Sequence, residues 1–322
     1  MKTALPFGRW IIGAVFAAAL GGCSTAIVDL DSVGSISKQQ APASPAVLEG
    51  RVFALHGMMG KVFSTGMDDL AKELNSRGLR TTVHEREWHD VAERAIAEYK
   101  AAPDRMKIML VGHSDGADSV IAMSYRLQEA GIPVALVITF DPTRVLSKPV
   151  PSNVERFVNL YQSSNFLGGG SARRVADFHG HFANVNLKER DGFSHVTIDK
   201  ARVLHEAIIP KFLQVAAFGS PQNDNPVSID YVVPKDAAIE IWDSGITIRA
   251  EPADTVETLA ARYGVPAWGI RRVNGLADTA RIASGQNLVI PRYISTPAAM
   301  ARQLAGPPPE TLALTQPQAS RQ

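Results

Sequence analysis

The stretch KIMLVGHSDGADSVIAMSYRL, residues 107–127, decides the fold, because it passes from an apolar run into a helical pattern through the turn GHSDG at 112–116. The run IMLV is apolar without interruption, which is typical of a strand buried on both faces. After Ser114 the apolar residues recur at helical spacing. The pattern therefore places Ser114 where a buried strand ends and a helix begins.

The segments on either side repeat this alternation of strand and helix. Apolar runs predict strands at 51–56, 80–87, 133–140, 155–162 and 181–189, and amphipathic patterns predict helices at 66–78, 89–101, about 115–130 and from about 199 onward. Strands that alternate with helices form parallel sheets through right-handed crossovers. We therefore expect an α/β fold with a mostly parallel sheet.

The turn around Ser114 has the features that a serine nucleophile requires. A serine hydroxyl reacts well only on a sharp, exposed turn beside a helix N-terminus, and such a turn crowds the residues two before and two after it. Those residues are Gly112 and Gly116. The backbone amides of Met58, after a predicted strand, and Asp115 are the expected donors to an oxyanion. The alternative is a glycine-rich turn in which Ser114 only caps the helix.

A base and an acid for Ser114 occur further along the chain. Asp141 directly follows the predicted strand 133–140, and His195 lies in a loop before a helix. The order Ser114, Asp141, His195 and the motifs HG, GHSDG, FDP and SHVTID make residues 50–218 resemble a compact α/β-hydrolase of the esterase, lipase and thioesterase kind. The resemblance implies a Ser-His-Asp triad of these three residues. Asp141 could instead serve only as a helix cap.

The N-terminus carries the pattern of an exported protein. Lys2 and Arg9 precede an apolar run at 10–20, which ends in the tetrapeptide LGGC at 20–23. This tetrapeptide resembles the lipobox of bacterial lipoproteins, which implies removal of residues 1–22 and acylation of Cys23. Ser24 then implies the outer membrane. The alternative is a plain secretion signal. Cys23 is the sole cysteine, so no intramolecular disulfide can form.

Residues 246–292 read as strand, capped helix, short helix, loop and strand. The motifs DT, LA-RYGV, N-L and GQ-L-IP make this segment resemble a LysM module with a βααβ arrangement. The resemblance implies binding of peptidoglycan glycans in a groove between two loops, near Asp254, Thr255 and Val256 and near Ala280, Arg281 and Ile282. A small α+β appendage without glycan affinity is the alternative.

These predictions divide the chain into a signal peptide at 1–22, a tether at 23–49, a hydrolase domain at 50–218, a linker at 219–245, the LysM-like module at 246–292 and a disordered tail at 293–322. The net charge of +1, without a basic cluster, excludes nucleic acid as a partner.

The predicted protein is an envelope serine hydrolase for an acyl ester or thioester, anchored to the membrane through lipid and localised by peptidoglycan. It needs no metal or organic cofactor. The competing hypothesis is a non-catalytic, peptidoglycan-binding structural lipoprotein with a degenerate hydrolase fold.

Overall fold

The computed structural model describes residues 48–293 apart from Met59, Arg86, 144–147 and 220–224. All described residues belong to one compact unit. The predicted signal peptide, Cys23, most of the tether and the tail beyond Tyr293 lie outside the described residues. No helix within the described part is long and apolar enough to cross a membrane.

A seven-stranded, fully parallel sheet forms the centre of the protein, with strand order β2-β1-β3-β4-β5-β6-β7. Its strands are β1 Arg51–Leu55, β2 Thr81–His84, β3 Ile108–His113, β4 Leu136–Phe140, β5 Arg156–Tyr161, β6 His181–Asn186 and β7 Ile229–Val232. The crossovers contain α1 Gly60–Phe63, α2 Gly66–Ser76, α3 Trp88–Ala101, α4 Asp115–Glu129 and α5 Arg202–Phe218. The predicted α/β class is confirmed.

Both faces of the sheet are covered by helices, which explains the uninterrupted apolar strands. Successive residues of β1 point to opposite faces: Val52 packs in the cluster that contains α2 and α5, and Phe53 packs in the cluster that contains α3 and α4. Every residue of β3, β4, β5 and β6 is buried. The carboxyl ends of these strands therefore form one rigid edge.

The C-terminal module is a separate βααβ unit, as predicted. An antiparallel pair, β8 Ser244–Arg249 and β9 Asn287–Arg292, encloses α6 Val256–Tyr263 and α7 Ala267–Val273 around its own small core. Thr255 caps α6 through a capping box with Thr258, and Gly264 ends α6 in the left-handed conformation.

The segment predicted as a linker at 219–245 is ordered where the structure describes it. Its described residues contain β7, which pairs with β6 at the edge of the main sheet, and Trp242, which is fully buried. The indole of Trp242 contacts the ring of Tyr231 from β7 and the ring of Trp268 from α7, with centroids 4.7 Å and 5.0 Å apart. This segment is therefore structural, and it joins the module to the sheet.

Buried polar groups strengthen the same junction. Arg156 at the start of β5 forms an ion pair with Asp243, and both side chains are 1% exposed. The Ser244 hydroxyl lies 2.8 Å from Nδ1 of His181 at the start of β6. Burial alone would raise the pKa of Asp243, but the nearby positive charges, of which Arg156 is the most important, outweigh burial and lower that pKa. Across the described residues, no group of three potential metal ligands occurs around His181 or elsewhere.

Candidate active site

Ser114 lies on a strained turn between β3 and α4. Its backbone has φ 58° and ψ −126°, a conformation that residues with a side chain rarely adopt. The turn requires both flanking glycines: a β-carbon on Gly112 would lie 2.3 Å from the carbonyl oxygen of Gly116, and one on Gly116 would lie 2.3 Å from that of His56. The packing around the turn therefore explains the G-x-S-x-G spacing.

The three residues that sequence reasoning singled out lie in one hydrogen-bonded row. The Ser114 hydroxyl lies 2.8 Å from Nε2 of His195, and Nδ1 of His195 lies 2.7 Å from Oδ2 of Asp141. Ser114 follows β3, Asp141 follows β4, and His195 lies in the loop after β6, so the row forms at the carboxyl edge of the sheet. In the tautomer that donates from Nδ1 to the carboxylate, Nε2 can accept the serine proton.

The carboxylate of Asp141 is fully buried and accepts several hydrogen bonds. The backbone amide of Gln162 donates to Oδ1 at 3.2 Å, and the Asn165 side-chain amide donates to Oδ2 at 2.8 Å. Donors to a carboxylate favour its charged form and fix its orientation. Sequence reasoning missed Asn165, whose loop leaves the carboxyl end of β5 and so lies at the same edge of the sheet as Asp141.

Gly168 in that same loop packs directly against the histidine and the aspartate. A β-carbon on Gly168 would lie 2.6 Å from Nδ1 of His195 and 2.7 Å from Oδ2 of Asp141. Any larger residue would displace the loop or separate the pair. The loop at 163–168 therefore shields the hydrogen bond between His195 and Asp141 from water.

A second polar network lies behind the row. Nε2 of the buried His113 lies 2.7 Å from the carbonyl oxygen of His195, so this nitrogen donates to the histidine loop. Nδ1 of His113 accepts from the Ser64 hydroxyl at 2.7 Å, and Ser64 accepts from the Gly57 amide at 3.1 Å. Burial lowers the pKa of His113 to about 4, so the ring is neutral at pH 7. His113 thus connects the loop of the base with the turn that precedes Met58.

Asp199 extends this network beneath the histidine loop. Its Oδ2 accepts from the Gly66 amide at 3.1 Å, and its Oδ1 lies 3.8 Å from Nδ1 of His113. Burial raises the pKa of Asp199 to about 7. His205 is only 3% exposed, and its Nε2 donates to the Asp199 carbonyl oxygen at 2.6 Å.

A cavity of about 330 Å³ opens over the serine and the histidine. It is lined by Met58, Ser64, His113, Ser114, Thr143, Leu167, His195 and Val196. Met58 therefore lies beside Ser114, and Asp115 begins α4 directly after it. The N-terminus of a helix attracts anions through its backbone amides and its dipole. Both residues predicted to donate to an oxyanion thus lie next to Ser114, and their role stays a prediction.

The residues predicted to bind glycan lie on two neighbouring loops of the C-terminal module. One loop follows β8 and the other precedes β9, and the pairing of Arg249 with Asn287 brings them to the same end of the module. The side chains there differ in exposure: Asp254 and Val256 are buried, Ala280 and Ile282 are half-buried, and Thr255 and Arg281 are exposed. Asp254 forms an ion pair with Arg262 at 2.8 Å, so it supports the loop from inside.

The protein has an α/β-hydrolase fold with an appended module. Three features define this fold: the strand order, the strained turn at Ser114 and the site at the carboxyl ends of the parallel strands. The family model described as LysM domain matches residues 249–291, which identifies this module as a LysM domain. No curated protein matches the chain in sequence.

Two solved structures are similar to about half of this chain. One is assigned to the α/β hydrolase superfamily, from Xanthomonas campestris pv. campestris; it aligns with 50% of this chain and 96% of its own, at 13% identity and a TM-score of 0.32. The esterase domain of a Rhodothermus marinus protein aligns with 52% of this chain and 89% of its own, at 15% identity and a TM-score of 0.33. Because these scores are low, the fold assignment rests on the sheet and the turn.

Proposed function

We propose that the protein is an envelope serine hydrolase that cleaves an acyl ester or thioester with Ser114, His195 and Asp141. The row of hydrogen bonds from Ser114 through His195 to Asp141, which begins at a strained serine, supports this function most strongly. A helix cap would need neither the positive φ at Ser114 nor a buried carboxylate behind the histidine.

The reaction proceeds by acyl transfer to the serine. The Ser114 oxygen attacks the carbonyl carbon while its proton passes to Nε2 of His195, and the carbonyl electron pair moves onto the oxygen. The amides of Met58 and Asp115 stabilise this oxyanion. When the tetrahedral intermediate collapses, His195 protonates the departing alcohol or thiol. Water then repeats the sequence on the acyl-enzyme, so that a carboxylic acid leaves and Ser114 regains its proton.

Asp141 keeps the imidazole in the tautomer that donates from Nδ1 and stabilises the imidazolium that forms during each step. Its bonds from Gln162 and Asn165 hold the carboxylate in place. The shield formed by Gly168 keeps water away from the charged pair, which strengthens their attraction.

The proposed location follows from both ends of the chain. The LysM domain supports binding to peptidoglycan, and the lipobox-like tetrapeptide at 20–23 supports a lipid anchor at Cys23 in the outer membrane, with the enzyme facing the periplasm. Two attachments increase the local concentration of the enzyme even if each is weak.

Labelling with a fluorophosphonate probe tests the hydrolase. The full chain should become labelled, and Ser114→Ala should abolish labelling. Ser76→Ala, on the exposed side of α2, is the matched control and should label as the wild type does. Labelling that survives Ser114→Ala would assign the chemistry to another residue. A folded wild type that does not label would favour the non-catalytic structural lipoprotein.

Sedimentation with purified peptidoglycan tests the glycan role. Ala280→Trp places a large ring between the two loops and should reduce the fraction of full chain that sediments. Ala261→Trp, on the exposed side of α6, is the control and should sediment normally. Equal sedimentation of both variants with the wild type would argue against a groove at these loops.

A further inference from the structure

The surface around the serine cavity is unusually apolar. Seven large apolar side chains of the described residues are well exposed. Three of them, Met58, Leu167 and Val196, line this cavity, and Val62 and Phe166 lie on the same segments as Met58 and Leu167. Phe166 is 94% exposed and Leu167 is 64% exposed. We call these five residues the apolar rim. Large exposed apolar patches mark binding sites, whereas single exposed apolar residues are ordinary.

The rim surrounds the reacting serine on two sides. Met58 and Val62 lie on the segment that runs from β1 into α1, and Phe166 and Leu167 lie on the loop that shields His195. Met58, Leu167 and Val196 line the cavity together with Ser114. A group that is bonded to Ser114 therefore extends directly between apolar side chains.

The polar groups in the cavity have other roles. His113 and Ser64 bond to each other, Thr143 bonds to the Asp118 carboxylate, and Ser114 and His195 form the row. Among the described residues that line the cavity, none is an acid, a lysine or an arginine. The described lining therefore offers no ionic partner to a charged acyl group, which would lose its hydration here.

We propose that the substrate carries an extended apolar acyl chain, such as octanoyl or longer, which lies in the cavity and against the apolar rim. This inference rests on the proposed hydrolase function. Acetyl groups and aminoacyl groups would leave most of the rim exposed to water. Each further methylene that becomes buried should raise kcat/KM by about fourfold until the chain passes the rim.

Hydrolysis of p-nitrophenyl acetate, butyrate and octanoate by the full chain tests the proposal. We expect kcat/KM to rise roughly tenfold or more from acetate to octanoate. Leu167→Ser should lower the ratio of octanoate to acetate activity by roughly fivefold, because it replaces apolar contact with a hydroxyl. Phe218→Ser is the control, since Phe218 is also exposed but ends α5, far along the chain from the rim, and the ratio should stay unchanged.

The outcomes separate this inference from the function on which it rests. If esters are cleaved but acetate is preferred, or if Leu167→Ser leaves the ratio unchanged, the hydrolase stands and the apolar acyl chain is wrong. If no ester turns over, labelling of Ser114 by ethyl and octyl fluorophosphonates decides. Faster labelling by the octyl probe supports the apolar chain, equal rates contradict it, and no labelling by either probe overturns both proposals.

Discussion

Replacing Ser114 with glycine should give a more stable fold than replacing it with alanine, although both changes remove the proposed nucleophile. Ser114 has φ 58° and ψ −126°, which brings its β-carbon into conflict with its own backbone. Glycine adopts this region without that conflict. The change therefore separates the conformational strain of the turn from the chemistry of the side chain.

The expected size follows from two opposing contributions. Backbone strain at such a residue costs on the order of 1–3 kcal/mol, and glycine releases it. Glycine also gives the unfolded chain more freedom, which costs about 0.5–1 kcal/mol. Ser114→Ala loses the same 2.8 Å hydrogen bond to His195 but keeps the β-carbon, so it is the proper reference. The glycine variant should be more stable than the alanine variant by about 1 kcal/mol.

Urea denaturation of both variants measures this difference directly. A difference of about 1 kcal/mol corresponds to roughly 2–4 °C in Tm for a protein of this size. Neither variant should react with a fluorophosphonate. A glycine variant that is equal to or less stable than the alanine variant would show that the turn stores no strain, and the structural support for a nucleophile at Ser114 would weaken.

Three further predictions concern buried charges. Asp141→Asn should lower kcat by on the order of 10⁴ if the carboxylate fixes the tautomer of His195, and near-normal ester turnover would place the acid elsewhere. The pKa of Asp199 is raised from 3.8 to about 7, so its stabilising contribution is complete below pH 3.8 and is lost as the pH rises through 7. Asp199→Asn should therefore gain stability relative to the wild type between pH 4 and 7.5, and a constant difference in urea titrations would contradict this. Arg156→Met leaves Asp243 without its main partner and should cost about 3–5 kcal/mol, whereas a loss below about 1 kcal/mol would mean that the nearby cations replace it.

The strands and the position of Ser114 could be predicted because they depend on residues that are close together in the sequence. A strand buried on both faces must be apolar at every position, and IMLV in β3 shows this in the sequence alone. Gly112 and Gly116, at fixed spacing around Ser114, indicate a crowded turn. In the structure, backbone carbonyl oxygens lie too close to both residues to leave room for a β-carbon. Asp141 and His195 were predicted from their positions after strands, and the structure brings both to Ser114; their roles remain predictions.

The supporting residues could not be predicted, because each depends on a contact between distant parts of the chain. Asn165 bonds to Asp141 across 24 residues, and His113 bonds to the His195 carbonyl across 82. The sequence gives no sign that Asp199 is buried, since a charged residue near a helix start is ordinarily solvated. The burial of His205 is equally hidden, because its partner is a backbone carbonyl, which no side-chain pattern reveals.

The junction of the two domains also changes how the glycan role has to be tested. The strand β7 is only four residues long, and the module packs on this sheet edge through Trp268, which contacts Trp242, and through Arg272, which contacts Glu189 at 2.9 Å. The buried ion pair of Arg156 and Asp243 lies at the same junction. Removal of residues 246–292 would expose the indole and hydrate a buried ion pair, so a loss of binding could reflect unfolding. Point variants in the full chain avoid this problem.

Glu189 also belongs to the segment that leads from β6 to His195. If the module binds peptidoglycan as proposed, the contact of Glu189 with Arg272 connects the glycan-binding module with the loop that carries His195.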